Sequence, residues 1–139
     1  DPPSLPMEQC LRISAAHARL QLVLDEELGT HHGLSYADFL LLHRLASAPE
    51  QRLPMAELAP ALGLRPSALL RQILPLEKTG LLGRDAETMQ RGRRDVVLRA
   101  AALQIVTNAC DTAQSVCMRL APSLGIVPAA GAAALDRPA

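Results

Sequence analysis

Arg65-Pro-Ser-Ala-Leu-Leu-Arg-Gln-Ile-Leu-Pro-Leu-Glu-Lys-Thr-Gly80 reads as one helix, opened by a proline and closed by a glycine. Pro66 suits a first helical position, where its missing N–H has no partner to lose, and a glycine just past the end takes a left-handed cap without strain. Leu69, Ile73 and Leu76 fall at helical spacing, which predicts a core-facing stripe. Ser67, Ala68, Arg71 and Gln72 are then expected to face outward. A second proline, Pro75, sits inside the helix, where it frees the carbonyl of Arg71 at a cost of roughly 3 kcal/mol. A kink there would re-aim whatever follows.

What surrounds this helix gives it a role. Upstream, Pro54 suits the first turn of a short helix running to Leu62, with Gly63 as its cap. Two short helices joined by a tight glycine turn outline a helix-turn-helix, and residues 66–79 are its second, recognition helix. Downstream, Leu81-Leu-Gly-Arg-Asp85 and the alternating Arg94-Asp-Val-Val-Leu-Arg99 read as two short strands, joined by the polar span Ala86–Arg93. That is a wing, a basic ribbon beside the recognition helix.

Helices flank this unit on both sides. Apolar residues from Met7 to Leu28 keep helical spacing, and Gly29 is expected to end that helix, leaving a loop to Gly33. Ser35-Tyr-Ala-Asp38 is a helix-start signal, and the helix it opens is expected to reach about Ala48. Pro49-Glu-Gln-Arg52 reads as a turn. From Ala100 to Leu120, Leu103, Val106, Cys110, Ala113, Cys117 and Leu120 recur at three- and four-residue steps, and Pro122 ends the run. The Ala-, Pro- and Gly-rich tail from Ser123 is read as one more short helix.

Composition agrees with a helical reading. The 139 residues, the size of one compact domain, are 49% apolar but only 1% aromatic, so the core must be built from Leu, Ile, Val and Ala. No apolar run approaches the ~20 residues of a membrane span, and the start Asp-Pro-Pro-Ser has no basic then apolar order, which predicts a soluble, cytoplasmic protein without a membrane partner. Net charge is zero, yet residues 65–99 hold eight basic side chains against four acidic ones. A neutral chain with one basic segment is a candidate to meet a polyanion through that segment.

The order helix, helix, helix-turn-helix, wing, long helix resembles the MarR family of winged helix-turn-helix transcriptional regulators. The residues that carry the resemblance are Leu34-Ser-Tyr-Ala-Asp-Phe39, Met55-Ala-Glu-Leu-Ala59, Leu69-Leu-Arg-Gln-Ile73 and Leu76-Glu-Lys-Thr-Gly-Leu-Leu-Gly-Arg-Asp85. It implies a mainly α fold with a small two-stranded wing: a dimerising N-terminal helix over 1–33, a winged helix-turn-helix over 34–99, and a C-terminal dimerisation helix and tail over 100–139. It further implies a homodimer on a near-palindromic double-stranded DNA operator, repressing until a small-molecule effector, often a lipophilic anion, binds between the dimer domain and the DNA-binding lobe. Tyr36, His43 and Arg44 are the candidate effector-pocket residues.

This chain departs from the family pattern at three places. Gly92-Arg93-Arg94 stands where Asp-Arg-Arg is usual, Leu74 stands where an acid or polar residue is usual, and Leu98-Arg99 with Ala102 replaces Leu-Thr before a glycine. With that acid-to-arginine tether gone, a bend at Pro75 is expected to take over part of its work in aiming the wing.

The chemistry of the outward residues fits DNA. Arg71 can make two bonds to guanine and Gln72 two to adenine, while Ala68 can touch a thymine methyl. Arg65 and Ser67, at the helix start, are placed for the backbone and the nearest base edges. In the wing, Arg91, Arg93 and Arg94 supply charge, and Arg93 is the best match for the family's minor-groove arginine.

Other constellations are weaker. Cys10 on the first helix and Tyr36 at the start of the second resemble the arrangement in peroxide-sensing members of the family, where tyrosines bond a thiol, which makes Cys10 a redox candidate. His17, His31, His32 and His43, with Glu26, Glu27 and the cysteines, include ligand types for zinc, but no spacing marks a metal site. Cys110 and Cys117 are seven apart and are expected to share an apolar, dimer-facing side. Neither a phosphate loop nor Gly-x-Ser-x-Gly nor a carboxylate pair tied to histidine is present, so the sequence predicts no enzyme and no cofactor. The alternative to a regulator is a winged helix used only for dimerisation or protein contact.

Overall fold

The computed structural model describes residues 4–85 and 94–126. Among them are five α-helices and three short strands: α1 Leu5–His32, α2 Tyr36–Ala46, β1 Arg52–Pro54, α3 Met55–Ala61, α4 Pro66–Lys78, β2 Leu82–Arg84, β3 Asp95–Leu98 and α5 Ala100–Leu120.

Ser4 caps α1, its Oγ accepting from the Met7 N–H at 3.4 Å. The helix does not stop at Gly29. It continues one turn to His32 and closes at Gly33, which sits at φ 67° and donates to the Gly29 carbonyl at 3.2 Å. Leu34 N–H bonds the Leu28 carbonyl, and both side chains are buried, so the hydrophobic contact that accompanies such caps selects Gly33 over Gly29. Ser35 caps α2 as its motif predicts, Oγ accepting from Asp38 N–H at 3.0 Å. Asp25 of α1 accepts from the Tyr36 N–H at 2.7 Å and ties the two helices at that corner. α2 buries Phe39, Leu41, Leu42 and Leu45, and ends at Ala46, two residues short of the expected end.

Residues 49–52 are more than a turn. Glu50 and Gln51 both sit at φ 56°, a left-handed backbone that costs a non-glycine residue about 1 to 3 kcal/mol. That reversal delivers Arg52–Pro54 as a strand on the free side of β3, so the two expected wing strands, β2 and β3, gain a third neighbour in an antiparallel sheet of order β1-β3-β2. Leu53 pairs with Val96 on one side of β3, and Arg84 pairs with Val96 on the other.

Leu58 and Ala59 bury α3 beneath α4, and the turn between them runs through Gly63 at φ 67°. α5 closes the core with Ala102, Val106, Ala109, Ala113, Val116 and Leu120, an unbroken four-three step. The expected stripe was partly off this line: Val106, Ala113 and Leu120 are buried, but Leu103 and Cys110 are only half-buried and Cys117 is exposed. Alanine is too weakly apolar to mark a core face in sequence, yet its small side chain suits the close α1–α5 packing, the most extensive helix contact among the described residues. Pro122 lies in a 3-10 turn, Ala121–Leu124, directly after α5. The tail from residue 127 lies outside the described residues.

Candidate nucleic-acid interface

α4 advances roughly 100° per residue, so its core and solvent faces follow from position alone. Leu69 and Ile73 are completely buried and Leu76 nearly so. Ser67, Arg71, Leu74 and Lys78, at steps of four, three and four, fall opposite and are all exposed. Arg65, also exposed, is the N-cap in extended conformation, and no side chain caps the first turn of α4, which leaves its N–H groups open to an anion.

Two of the expected outward residues turn elsewhere. Ala68 is half-buried. Gln72, also half-buried, donates from Nε2 to Asp38 Oδ1 at 3.2 Å. It lies a full 100° step from Arg71, on the flank facing α2, where the α2 carboxylate meets it. Pro75 stands inside α4 without ending it, since the helix runs on to Lys78. The Thr79 hydroxyl then donates to the Leu76 carbonyl at 3.1 Å and Gly80, at φ 79°, releases the chain toward β2.

The sheet is fastened to α4 by charge. Arg84 Nε donates to Glu77 Oε2 at 3.1 Å, while Glu77 Oε1 is buried with no hydrogen-bond partner among the described residues. Arg99, at the far end of β3, lies across Gly83 and donates to the Leu82 carbonyl at 3.2 Å. A third arginine, Arg52, reaches from β1 across the sheet: its Nε donates to buried Asp95 at 3.1 Å and its Nη2 pairs closely with Asp85. The Asp85 bond is the main cause that pushes the Arg52 pKa above its ordinary value; desolvation, next in size, opposes it, and the Asp95 bond adds to the rise. This cluster was missed in the sequence because a three-residue strand carries no periodicity and its partners lie 33 and 43 positions away. Arg94 is exposed at the start of β3. Arg91, Arg93, Gly92 and the whole span from Ala86 lie outside the described residues.

The candidate effector residues line two adjoining hollows. Tyr36 shares one of about 180 Å³ with His17, Gln21, Leu64 and Gln72. His43 and Arg44 share another of about 360 Å³ with Ser47 and Ala61, and Leu40 and Leu62 border both. Burial raises the Tyr36 pKa, and the charge of Cys117 adds to it. Cys10 is exposed on α1, two helical turns before His17, whose ring lies 6.4 Å from that of Tyr36. His31 pairs with Glu27 at 3.4 Å and His32 with the Thr112 hydroxyl at 2.6 Å. Among the described residues no three His, Cys, Asp or Glu side chains gather as metal ligands, and no helix is long and apolar enough to cross a membrane.

No protein-family model and no curated protein matches the sequence. Solved structures do match its fold. AbsC, a MarR family transcriptional regulator from Streptomyces coelicolor, superposes with a TM-score of 0.76 at 22% identity over 98% of this chain and 91% of its own. The chain has the MarR-type winged-helix fold. The transcriptional regulator BldR from Sulfolobus solfataricus is similar at a TM-score of 0.74 and 21% identity, over 91% of this chain and 86% of its own. Sco3205, a MarR family regulator from Streptomyces coelicolor solved in complex with DNA, gives a TM-score of 0.63 and 26% identity over 81% and 77%. In the MarR-type fold of this chain, α3 and α4 form the helix-turn-helix, β2 and β3 the wing strands, and α1 and α5 the paired outer helices.

Proposed function

We propose that this chain is a homodimeric, sequence-specific DNA-binding transcriptional regulator, a cytoplasmic repressor released by a small-molecule effector. The observation that carries the reading is the solvent stripe of α4, where Ser67, Arg71 and Lys78 stand opposite buried Leu69, Ile73 and Leu76, with Arg65 at the uncapped helix start. Arg71 is the base-reading residue. Arg65, Lys78 and Arg94 contact phosphate, and Arg91 and Arg93, between β2 and β3 in the sequence, add positive charge for the same polyanion. Dimerisation is supported by α1: only Leu24 and Leu28 are buried in it, while Leu5, Met7, Leu11 and Ile13 are more than half exposed along its first turns. The first turns of α1, which leave these apolar side chains uncovered, are where a second copy would pack, and Met118 and Ile126 are exposed as well.

The two hollows around Leu40 and Leu62 lie between α2 and the helix-turn-helix, so a bound aromatic acid would change how α4 is held. Relief of repression requires that the ligand bind more tightly to the DNA-incompetent arrangement.

Fluorescence-anisotropy titration with the DNA flanking its own gene, repeated across salt concentrations, tests the reading. Affinity should fall linearly on a log–log plot, and Arg65→Ala should reduce the slope by about one. Binding that ignores salt, or an Arg71→Ala variant with unchanged affinity, would favour a winged helix used for protein contact.

A further inference from the structure

Of the four residues on the solvent stripe of α4, three can hydrogen-bond to nucleic acid and one cannot. Leu74 is 43% exposed, and exposed Pro75 stands beside it. Leu74 has no part in the core, which α4 reaches through Leu69, Ile73 and Leu76, and the helix packs on α3 and β2 with this side turned away. Its surroundings are cationic: Arg71 lies about one turn before it and Lys78 about one turn after. That charge favours a polyanion over an apolar protein face or a lipid surface. On a helix facing the major groove, leucine has no hydrogen bond to offer a base edge. The group there that suits it is the C5-methyl of thymine.

We infer that Leu74 is a specificity-determining residue that reads a thymine methyl in each half-site, with Pro75 widening the apolar step. This rests on the DNA-reading proposal above and names part of the sequence that it recognises. Leu74 stands three residues after Arg71, about 4.5 Å further along the helix axis. One base pair rises about 3.4 Å. The thymine therefore belongs one or two base pairs from the base that Arg71 contacts. Pro75, exposed beside Leu74, adds apolar surface there.

The test uses the full chain and duplexes selected from random DNA by repeated binding and amplification. Each thymine of the selected site is then replaced by uracil, which pairs identically but lacks the methyl group. At one position per half-site, uracil should weaken binding about fourfold, the transfer value of one buried methyl. Leu74→Ala should weaken the thymine duplex by a similar factor and bind thymine and uracil duplexes equally. Because Leu74 is exposed, this variant should melt like the parent, which separates a lost contact from lost folding. Uracil without effect at every position, or a Leu74→Ala variant that keeps the full uracil penalty, overturns the inference and leaves DNA reading standing. If no sequence is enriched and no duplex binds, the DNA-reading proposal itself falls and this inference falls with it.

Discussion

Arg84 Nε meets a Glu77 carboxylate oxygen at 3.1 Å, so the last turn of α4 and the strand β2 that follows it are held together by a charged hydrogen bond across seven residues. The other Glu77 oxygen is buried and unpaired among the described residues, which makes this carboxylate dependent on Arg84. The Arg84–Glu77 bond is a local tie between α4 and β2. It joins the recognition helix to the wing directly, through a helix that Pro75 does not interrupt.

Arg84→Ala should therefore destabilise the fold by about 1 to 2 kcal/mol, toward the low end for a stranded charge. Both side chains keep about a quarter of their surface exposed (29% and 23%), which screens the loss. Replacing both residues with methionine removes the charge along with its partner and should cost less than the single change. Urea unfolding midpoints measure both. A double variant no more stable than Arg84→Ala would show that Glu77 is satisfied some other way.

Gly83 makes room for a second fastening. A Cβ built there would lie 2.7 Å from Arg99 Nη2 and 3.3 Å from its Nε, so any larger residue must push the guanidinium away from the Leu82 carbonyl. Gly83→Ala should cost about 1 kcal/mol, the value of one hydrogen bond. In an Arg99→Ala background the same substitution should cost nearly nothing, because the obstructing group is gone. Equal cost in both backgrounds would locate the strain in the backbone of β2.

These fastenings explain what was and was not legible in the sequence. α4 could be read from end to end because Pro66 and Gly80 mark its limits and Leu69, Ile73 and Leu76 its inner face. Ser35 was equally plain, since its cap bond is made within three residues. β1 was hidden: three residues ending in proline show no alternation, and its partner strand begins more than forty positions later. The end of α1 was ambiguous because Gly29 and Gly33 are both competent caps, and the choice was made by Leu34 reaching the core. On α5 the packing line follows alanines, which a search for large apolar residues passes over. The candidate site was legible in its residue types and less so in their directions. One residue step separates Arg71 in solvent from Gln72 against α2.

Alkaline pH should weaken the fold through two half-buried groups. Burial, aided by Cys117, raises the Tyr36 pKa above its usual 10.0, and burial, aided by Asp111, raises that of Cys110 above 9.0. Between the unfolded and folded pKa of each group the native state holds the proton that the unfolded chain has lost, so stability falls as pH rises. The contribution is complete below the unfolded value and is lost through the folded one. The decline should start near pH 9 and steepen past pH 10. Cys110→Ala should remove the earlier part and Tyr36→Phe the later part of the slope, measured as urea midpoints against pH. A slope identical in both variants and the parent would assign the effect to other groups.

Arg71 and Gln72 are adjacent, and both residue types can make paired bonds to a base, yet their positions separate their roles. Arg71 is exposed on the solvent face of α4, whereas Gln72 is half-buried and already donates to Asp38, itself the N3 residue of α2. Reading adenine with Gln72 would require breaking that bond and turning the amide out of its hollow. Arg71→Ala should relax preference at one base pair per half-site, a loss of about 1 to 3 kcal/mol of discrimination. Gln72→Ala should leave base preference unchanged and instead loosen the α2–α4 contact, seen as a small fall in melting temperature. Competition binding with an operator library permuted one base pair at a time distinguishes the two. If Gln72→Ala erased an adenine preference while Arg71→Ala altered none, the Asp38 bond would have to open on DNA, and the reading face of α4 would be rotated toward α2.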